Sequence, residues 1–138
     1  MKIIFITHLF ASLFMTGLCW FVQIVHYPLF HQIKSIDFAK YEKKNFVTGF
    51  ITIPIMVIEF LTGLYLLYNS ATLVYLVNLA LLGLIGLSTV FYQVPIHIKL
   101  TYNPSIKLIH KLILTNWIRT ISWSVRMLLL AFVLFNAL

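Results

Sequence analysis

Four long apolar stretches divide the sequence, and they constrain the fold more than any other feature. They cover residues 3–25, 46–68, 72–94 and 112–138, and each holds about 20 residues or more. A helix rises about 1.5 Å per residue, so a stretch of this length crosses about 30 Å of hydrocarbon. Backbone groups in hydrocarbon must pair within their own segment, which requires helices. We therefore predict an all-α fold: an integral membrane four-helix antiparallel bundle that forms one domain over residues 1–138.

The composition argues against a water-soluble fold. Apolar residues make up 62% of the chain and charged residues only 9%, whereas soluble domains have about 45–50% and about 25%. The stretches lack the period-two alternation of a membrane β-barrel. The single cysteine, Cys19, excludes a disulfide within the chain and argues against a cysteine metal site. We expect the first stretch to be a retained helix, because it is longer than the apolar region of a signal peptide and lacks a small-residue exit.

The lysines predict the orientation. Seven of the eight lie in the two connecting segments 26–45 and 95–111, and only Lys2 lies elsewhere. The positive-inside rule places those segments in the cytoplasm and both termini outside, which fits a bacterial inner membrane. Although the net charge is +7, the lysines separate apolar stretches instead of covering one face of a soluble domain. The expected partner is therefore the lipid bilayer, and not a nucleic acid.

Part of the first connecting segment has amphipathic character. We expect residues 33–44 to form a short helix lying on the membrane interface, with its lysines in water. The interfacial side chains in this interpretation are Ile36, Phe38, Ala39 and Tyr41.

Two ionisable residues stand deep in apolar stretches, where a charge is costly and marks a functional candidate. Glu59 lies about thirteen residues into the second stretch, and Arg126 about fourteen into the fourth. Both stretches are predicted to begin at the cytoplasmic face, so the two side chains lie at similar depth and can pair. Two interpretations remain open: a buried ion pair that fixes helix register, or a substrate or proton site.

Two glutamine and histidine pairs end the first and third stretches. Gln23 and His26 are three residues apart, and Gln93 and His97 are four apart, so each pair shares a helix face. One interpretation is a pair of interfacial histidines at helix ends. The other is a metal site of two histidines, His26 and His97, with or without a carboxylate, of the kind that helix bundles build between helices.

The fourth stretch carries a polar and aromatic stripe. Asn116, Arg119, Trp123 and Arg126 follow one another at steps of three, four and three residues, which places them on one helix face. Arginines beside aromatic rings suit an anionic or quinone-like oxygen.

The remaining candidates are less specific. His8, His31 and His110 are interpreted as structural or solvated. Gly83, Gly86 and Ser88 form a patch of small residues that suits packing inside the bundle or against a second copy. Signatures of nucleophile elbows, P-loops, dinucleotide sites and C-x-x-C motifs are absent from the sequence.

Several segments together resemble a largely uncharacterised family of small bacterial four-helix membrane proteins. They are Trp-Phe-Val-Gln-x-Val-His-Tyr-Pro-Leu-Phe at 20–30, Pro54 with Glu59, Gln-Val-Pro-x-His at 93–97 and Asn-Trp-x-Arg-Thr at 116–120. More distantly, the chain is similar to the anthrone-oxygenase-like membrane family. That resemblance implies oxidation of a lipid-soluble aromatic substrate. Small four-helix haem proteins of the protoporphyrinogen-oxidase type share the size and a histidine in the first helix.

The working hypothesis is a site between helices near the cytoplasmic leaflet. In an oxidoreductase acting on an aromatic or quinone-like substrate, the catalytic residues would be His26, Glu59, His97, Arg119 and Arg126. The substrate-binding residues would be Trp20, Gln23, Tyr27, Gln93, Asn116, Trp117 and Trp123. The cofactor stays open between haem and a transition metal. The alternative is a protein that is not an enzyme: an accessory subunit of a membrane complex or a carrier for a hydrophobic small molecule, either of which could form homo-oligomers.

Overall fold

The computed structural model describes residues 1–137, and this part of the chain is helical almost throughout, with no β-strand. Four of its helices are long and apolar enough to cross a membrane: Lys2–Gln32, Ser35–Asn69, Leu73–Tyr102 and Ile106–Asn136. We refer to them as the first to the fourth helix. The prediction of an all-α fold with four long apolar helices is confirmed. The end of the predicted fourth stretch, Leu138, lies outside the described residues.

The helices extend well beyond the apolar stretches, because backbone hydrogen bonding continues into the polar flanks where hydropathy falls. The first helix consists of an α-helix, Lys2–Phe21, a π-helical turn, Val22–His26, and a 3-10 segment, Pro28–Gln32. The second comprises Ser35–Asp37 (3-10), Phe38–Asn45 (α), Phe46–Thr48 (3-10) and Gly49–Asn69 (α). The third comprises Leu73–Ser88 (α), Thr89–Gln93 (π) and Val94–Tyr102 (α), and the fourth is one α-helix, Ile106–Ala137.

Both π-helical turns end two residues before a proline. Val22–His26 precedes Pro28, and Thr89–Gln93 precedes Pro95. The first turn shows the hydrogen bond that is typical of a π-helix, between residues five apart: the Tyr27 amide donates to the Val22 carbonyl at 3.0 Å. Proline has no amide hydrogen, so the regular helical ladder cannot continue through it. Each turn changes the phase of the helix at the predicted site: the first contains Gln23 and His26, and the second contains Gln93 and precedes His97. Functional sites are a common position for π-bulges.

The segment predicted to lie on the membrane interface packs into the protein instead. Phe38 and Glu42, one turn apart on the helix Phe38–Asn45, are both buried, and this helix contacts the segment Val94–Tyr102 of the third helix. Ile36 is exposed, as expected. The prediction for Phe38 was wrong, because one face of the segment packs into the protein, although its lysines indicate a solvated surface.

Apolar clusters lie at two levels of the fold. One joins the two connecting regions and includes Phe30, Phe38, Leu100 and Leu112. The other includes Met15, Cys19, Ile85 and Trp123. The first and third helices each contact the second and the fourth. Only 17–28% of the residues in the most apolar part of each helix are buried, so most of their apolar side chains face outward.

Candidate functional site

A buried carboxylate and an imidazole form the centre of the candidate site. The Nδ1 atom of His97 lies 3.0 Å from each carboxylate oxygen of Glu42, which is completely buried. An ionised carboxylate can only accept hydrogen bonds, so Nδ1 carries a proton and donates it. The bond fixes both the orientation and the tautomer of the His97 ring.

The other nitrogen of the same ring contacts a tyrosine. The Tyr27 hydroxyl lies 3.1 Å from Nε2 of His97, and Tyr27 is buried. With the proton of a neutral imidazole on Nδ1, Nε2 is an acceptor, so the Tyr27 hydroxyl donates to it. Glu42, His97 and Tyr27 therefore form one directed chain of hydrogen bonds.

Asn45 connects this chain to the second predicted histidine. Its amide nitrogen donates to the Glu42 carboxylate at 3.2 Å, and its amide oxygen accepts a hydrogen bond from Nε2 of His26 at 3.0 Å. The Tyr41 hydroxyl lies 3.4 Å from Nδ1 of His26 and donates to it. The Asn45 nitrogen also lies 3.3 Å from Nδ1 of His97, but with this tautomer both atoms are donors, so we assign its bond to Glu42.

The polar chain borders an open cavity of about 800 Å³, lined by the first three helices and by two residues of the fourth. Six of the predicted site residues line it: His26, Tyr27, Gln93, His97, Arg119 and Trp123. The Arg119 guanidinium lies 5.6 Å from the centre of the Trp123 ring, a cation–π distance. The rest of the lining is mostly apolar.

Four further predicted residues connect helices without lining the cavity. The Asn116 amide donates to the Gln23 side-chain oxygen at 2.9 Å, and the Trp20 indole donates to the Ser124 hydroxyl at 3.0 Å. Trp117, the remaining aromatic of this predicted set, packs edge-to-face against Trp20, with the ring centres 5.7 Å apart. These side chains join the first helix to the fourth, so they support the site from outside.

A second buried polar cluster contains the predicted ion pair. Nη1 of Arg126 lies 2.8 Å from the Glu59 carboxylate, and both side chains are fully buried. The Trp123 indole donates to the same carboxylate at 3.3 Å, and Nε of Arg126 donates to the Asn78 side-chain oxygen at 3.2 Å. Nε2 of His8 lies 3.1 Å from that oxygen, so all four helices contribute to the cluster.

Glu59 belongs to this second cluster and not to the group around His26 and His97. Neither Glu59 nor Arg126 lines the cavity, although Trp123 touches both the ion pair and the cavity. The carboxylate beside His97 is that of Glu42, which sequence analysis did not single out. Glu42 stands among Lys40, Lys43 and Lys44, where a carboxylate is normally solvated. The sequence feature that could have identified Glu42 is its helical spacing, four residues from Phe38 and three from Asn45.

The arrangement of the histidines does not fit the predicted metal or haem site. Both nitrogens of His97 and both of His26 already have protein partners, so neither ring offers a free nitrogen to a metal. Within residues 1–137, no group of three or more His, Cys, Asp or Glu side chains is placed to hold a metal ion.

Comparisons with known proteins add no family assignment: no protein-family model, curated protein or solved structure matches this chain. The function must therefore be inferred from the geometry and chemistry of the site.

Proposed function

We propose that the four helices cross a bacterial inner membrane as an antiparallel bundle, with both termini outside. The length and outward apolar surface of the helices support this arrangement. Charge supports it as well, because the two lysine-rich connecting regions lie together at one end of the fold. Their side chains share an apolar cluster, and the rings of His31 and His110 lie 5.1 Å apart. Seven lysines at one end suit the cytoplasmic surface.

We further propose that the cavity binds a lipid-soluble aromatic or quinone-like molecule and that the protein is an oxidoreductase acting on it. The observation that carries this proposal is the hydrogen-bonded chain from Glu42 through His97 to Tyr27, all of which line the cavity. Oxidation or reduction of a hydroquinone, phenol or quinone requires protons to leave or reach an oxygen atom. The chain can take up such protons and return them.

In this mechanism Tyr27 contacts the substrate oxygen. A phenolic proton of the substrate moves to the Tyr27 oxygen while the proton of Tyr27 moves to Nε2 of His97. The resulting imidazolium lies 3.0 Å from the Glu42 carboxylate, which stabilises its charge. Reversal of the same steps returns a proton to the substrate. General acid–base catalysis of this kind contributes about 10²–10⁴ in rate.

Arg119 suits the negative charge that develops on the substrate. It is the one arginine among the cavity-lining residues, and its guanidinium lies over the Trp123 ring, which lines the cavity as well. Preorganised positive charge in a site of low polarity stabilises an anionic oxygen strongly.

The experiment uses purified protein in liposomes and a naphthol probe, whose absorption changes when its hydroxyl ionises. We expect the bound probe to ionise at lower pH than the free probe, and we expect Glu42→Gln to abolish most of this difference. Lys43→Gln is the matched control, because Lys43 is the exposed neighbour on the same helix. Equal ionisation in wild type, Glu42→Gln and Lys43→Gln would contradict the proposed proton route.

A carrier function is the second candidate, favoured by the mostly apolar lining of the cavity. The carrier and the oxidoreductase can be distinguished by the rate at which dissolved oxygen oxidises a naphthohydroquinone. In this reaction the hydroquinone loses two electrons and two protons, which reduce oxygen to hydrogen peroxide. An oxidoreductase accelerates this reaction, and the acceleration falls in Glu42→Gln. A carrier binds the hydroquinone without accelerating its oxidation.

A further inference from the structure

The stretch of the second helix that covers the cavity is not packed against the rest of the protein. Residues 46–54 include no buried side chain, and only Gly49 and Thr52 are even partly buried. On either side of this stretch the same helix is anchored, by Phe38 and Glu42 before it and by Glu59, Gly63 and Leu66 after it. The second helix is therefore packed against the bundle on both sides of residues 46–54, but not over the cavity itself.

Local backbone structure explains why this stretch can stand apart. The α-helical hydrogen bonding gives way to a 3-10 turn at Phe46–Thr48, and Pro54 interrupts it again further along. The 3-10 turn makes its main contacts with the adjoining parts of its own helix. Proline and 3-10 turns are recognised sites of helix distortion.

The residues around the outer side of the cavity are apolar and exposed. Phe50 is 82% exposed and Ile53 62%, and Phe21 of the first helix is 53% exposed. All three line the cavity. The polar end of the cavity, at Tyr27 and His97, is by contrast buried. The most exposed side chains at the mouth of the cavity are thus apolar, whereas its hydrogen-bonded chain is buried; in a membrane the mouth would face acyl chains.

We propose that the substrate is an amphiphile whose ring binds at Tyr27 and His97, while its long apolar tail leaves the cavity past residues 46–54 and remains in the bilayer. This inference rests on the proposed function and adds the substrate class and its route of entry. The size of the cavity agrees: pockets of about 300–1,000 Å³ enclose drug-sized ligands, so a volume of about 800 Å³ holds a ring and the first part of a tail. The rest of a long tail must lie outside.

The opening can be tested without any substrate. Trp123 is completely buried and lines the cavity, and Trp20 and Trp117, the other two tryptophans, do not line it. In the variant Trp20→Phe/Trp117→Phe, fluorescence comes from Trp123 alone. We expect phospholipids with brominated acyl chains to quench Trp123 in liposomes, because their chains enter the cavity. Fluorescence unaffected by brominated lipid would overturn the lateral opening.

The tail is tested in the same single-tryptophan variant with two quinones that quench tryptophan: a methyl-naphthoquinone and a naphthoquinone whose long isoprenoid tail is larger than the cavity. We expect both to quench Trp123 with similar affinity at equal concentration in the membrane. Gly49→Leu, placed at the mouth, should weaken the long-tailed quinone about tenfold, equivalent to about 1.4 kcal/mol, and the methyl quinone much less. The matched control is Gly83→Leu, because Gly83 is exposed and a side chain there meets open space.

The possible outcomes separate the two proposals. Quenching by the methyl quinone alone would show a closed cavity, which overturns the tail inference and leaves the proposed function in place. Equal effects of Gly49→Leu on both quinones would also overturn it. Failure of both quinones to bind would contradict the proposed function itself. Gly49→Ala is a milder second variant, since its Cβ would meet only the Ile53 Cδ1 atom at 3.7 Å.

Discussion

Glu59 and Arg126 form a fully buried ion pair 2.8 Å long between the second and fourth helices. Glu59 also accepts a hydrogen bond from Trp123, and Arg126 also donates to Asn78. The pair is therefore the centre of a polar cluster in an apolar interior. Of the two interpretations that the sequence left open, this geometry favours the structural one, in which the pair fixes how the helices align.

Removing one partner of this pair should be much more harmful than removing both. Arg126→Met leaves the Glu59 carboxylate buried without its counter-charge, at a cost of about 3–5 kcal/mol. Arg126→Met/Glu59→Gln removes both charges, so we expect it to recover a large part of that loss. Thermal unfolding of the detergent-purified variants measures the difference. A double variant no more stable than Arg126→Met would contradict the coupling between the two residues.

The hydroxyl of Tyr27 should matter more for proton transfer than for folding. Tyr27→Phe keeps the buried ring and removes only the hydrogen bond to Nε2 of His97, so the free energy of unfolding should fall by about 1–2 kcal/mol. The ionisation of a bound naphthol, in contrast, should return close to that of the free probe.

Tyr41→Phe is the matched control for that experiment, because the Tyr41 hydroxyl contacts His26 and Tyr41 does not line the cavity. We expect Tyr41→Phe to leave naphthol ionisation nearly unchanged. An equal loss of naphthol ionisation in Tyr27→Phe and Tyr41→Phe would contradict a specific role of Tyr27 in proton transfer.

The sequence predicts the helices and the depth of the ion pair for the same reason. Apolar length and backbone hydrogen bonding determine where helices form in this chain. Depth within a helix then follows from counting residues, which put Glu59 and Arg126 at one level. Neither step depends on knowing which helix faces which, so both can be taken from one sequence.

The centre of the candidate site could not be predicted in this way. Its carboxylate, Glu42, belongs to a lysine-rich segment whose inward face appears only when that segment packs against the third helix. The two π-helical turns also change the helix phase ahead of His97 and within the first helix at His26. Regular α-helical spacing therefore does not predict which side chains share a face at these two turns. Gln23 contacts Asn116 of the fourth helix, whereas His26 contacts Asn45 of the second.

Gly63 should be intolerant of a side chain because of its contact with His8. A Cβ added there would lie 3.2 Å from Cε1 of His8 and 3.4 Å from Cδ1 of Leu79. His8 is itself held by hydrogen bonds to Thr62 and Asn78, so it cannot move freely. We expect Gly63→Ala to lower the free energy of unfolding by about 1–3 kcal/mol, the usual cost of overpacking.

Gly83→Ala is the control for that prediction. Its Cβ would meet no atom within 4 Å, and alanine is favoured over glycine in a helix by about 0.5–1 kcal/mol. We therefore expect Gly83→Ala to be neutral or stabilising in the same thermal unfolding measurement. If Gly63→Ala were as stable as Gly83→Ala, the close packing of His8 against the second helix would be wrong.

The proposed orientation predicts which parts of the chain a membrane-impermeant reagent can reach. In a Cys19→Ser background, Ala71→Cys places one thiol in the short turn between the second and third helices, and Lys43→Cys places one in the first lysine-rich region; both positions are exposed. The positive-inside rule puts the lysine-rich end in the cytoplasm. A charged maleimide should therefore label Ala71→Cys in intact bacterial cells whose outer membrane has been permeabilised, and Lys43→Cys only after the inner membrane is opened as well. The reverse pattern would show the opposite orientation, and labelling of both thiols before the inner membrane is opened would contradict a membrane-crossing second helix.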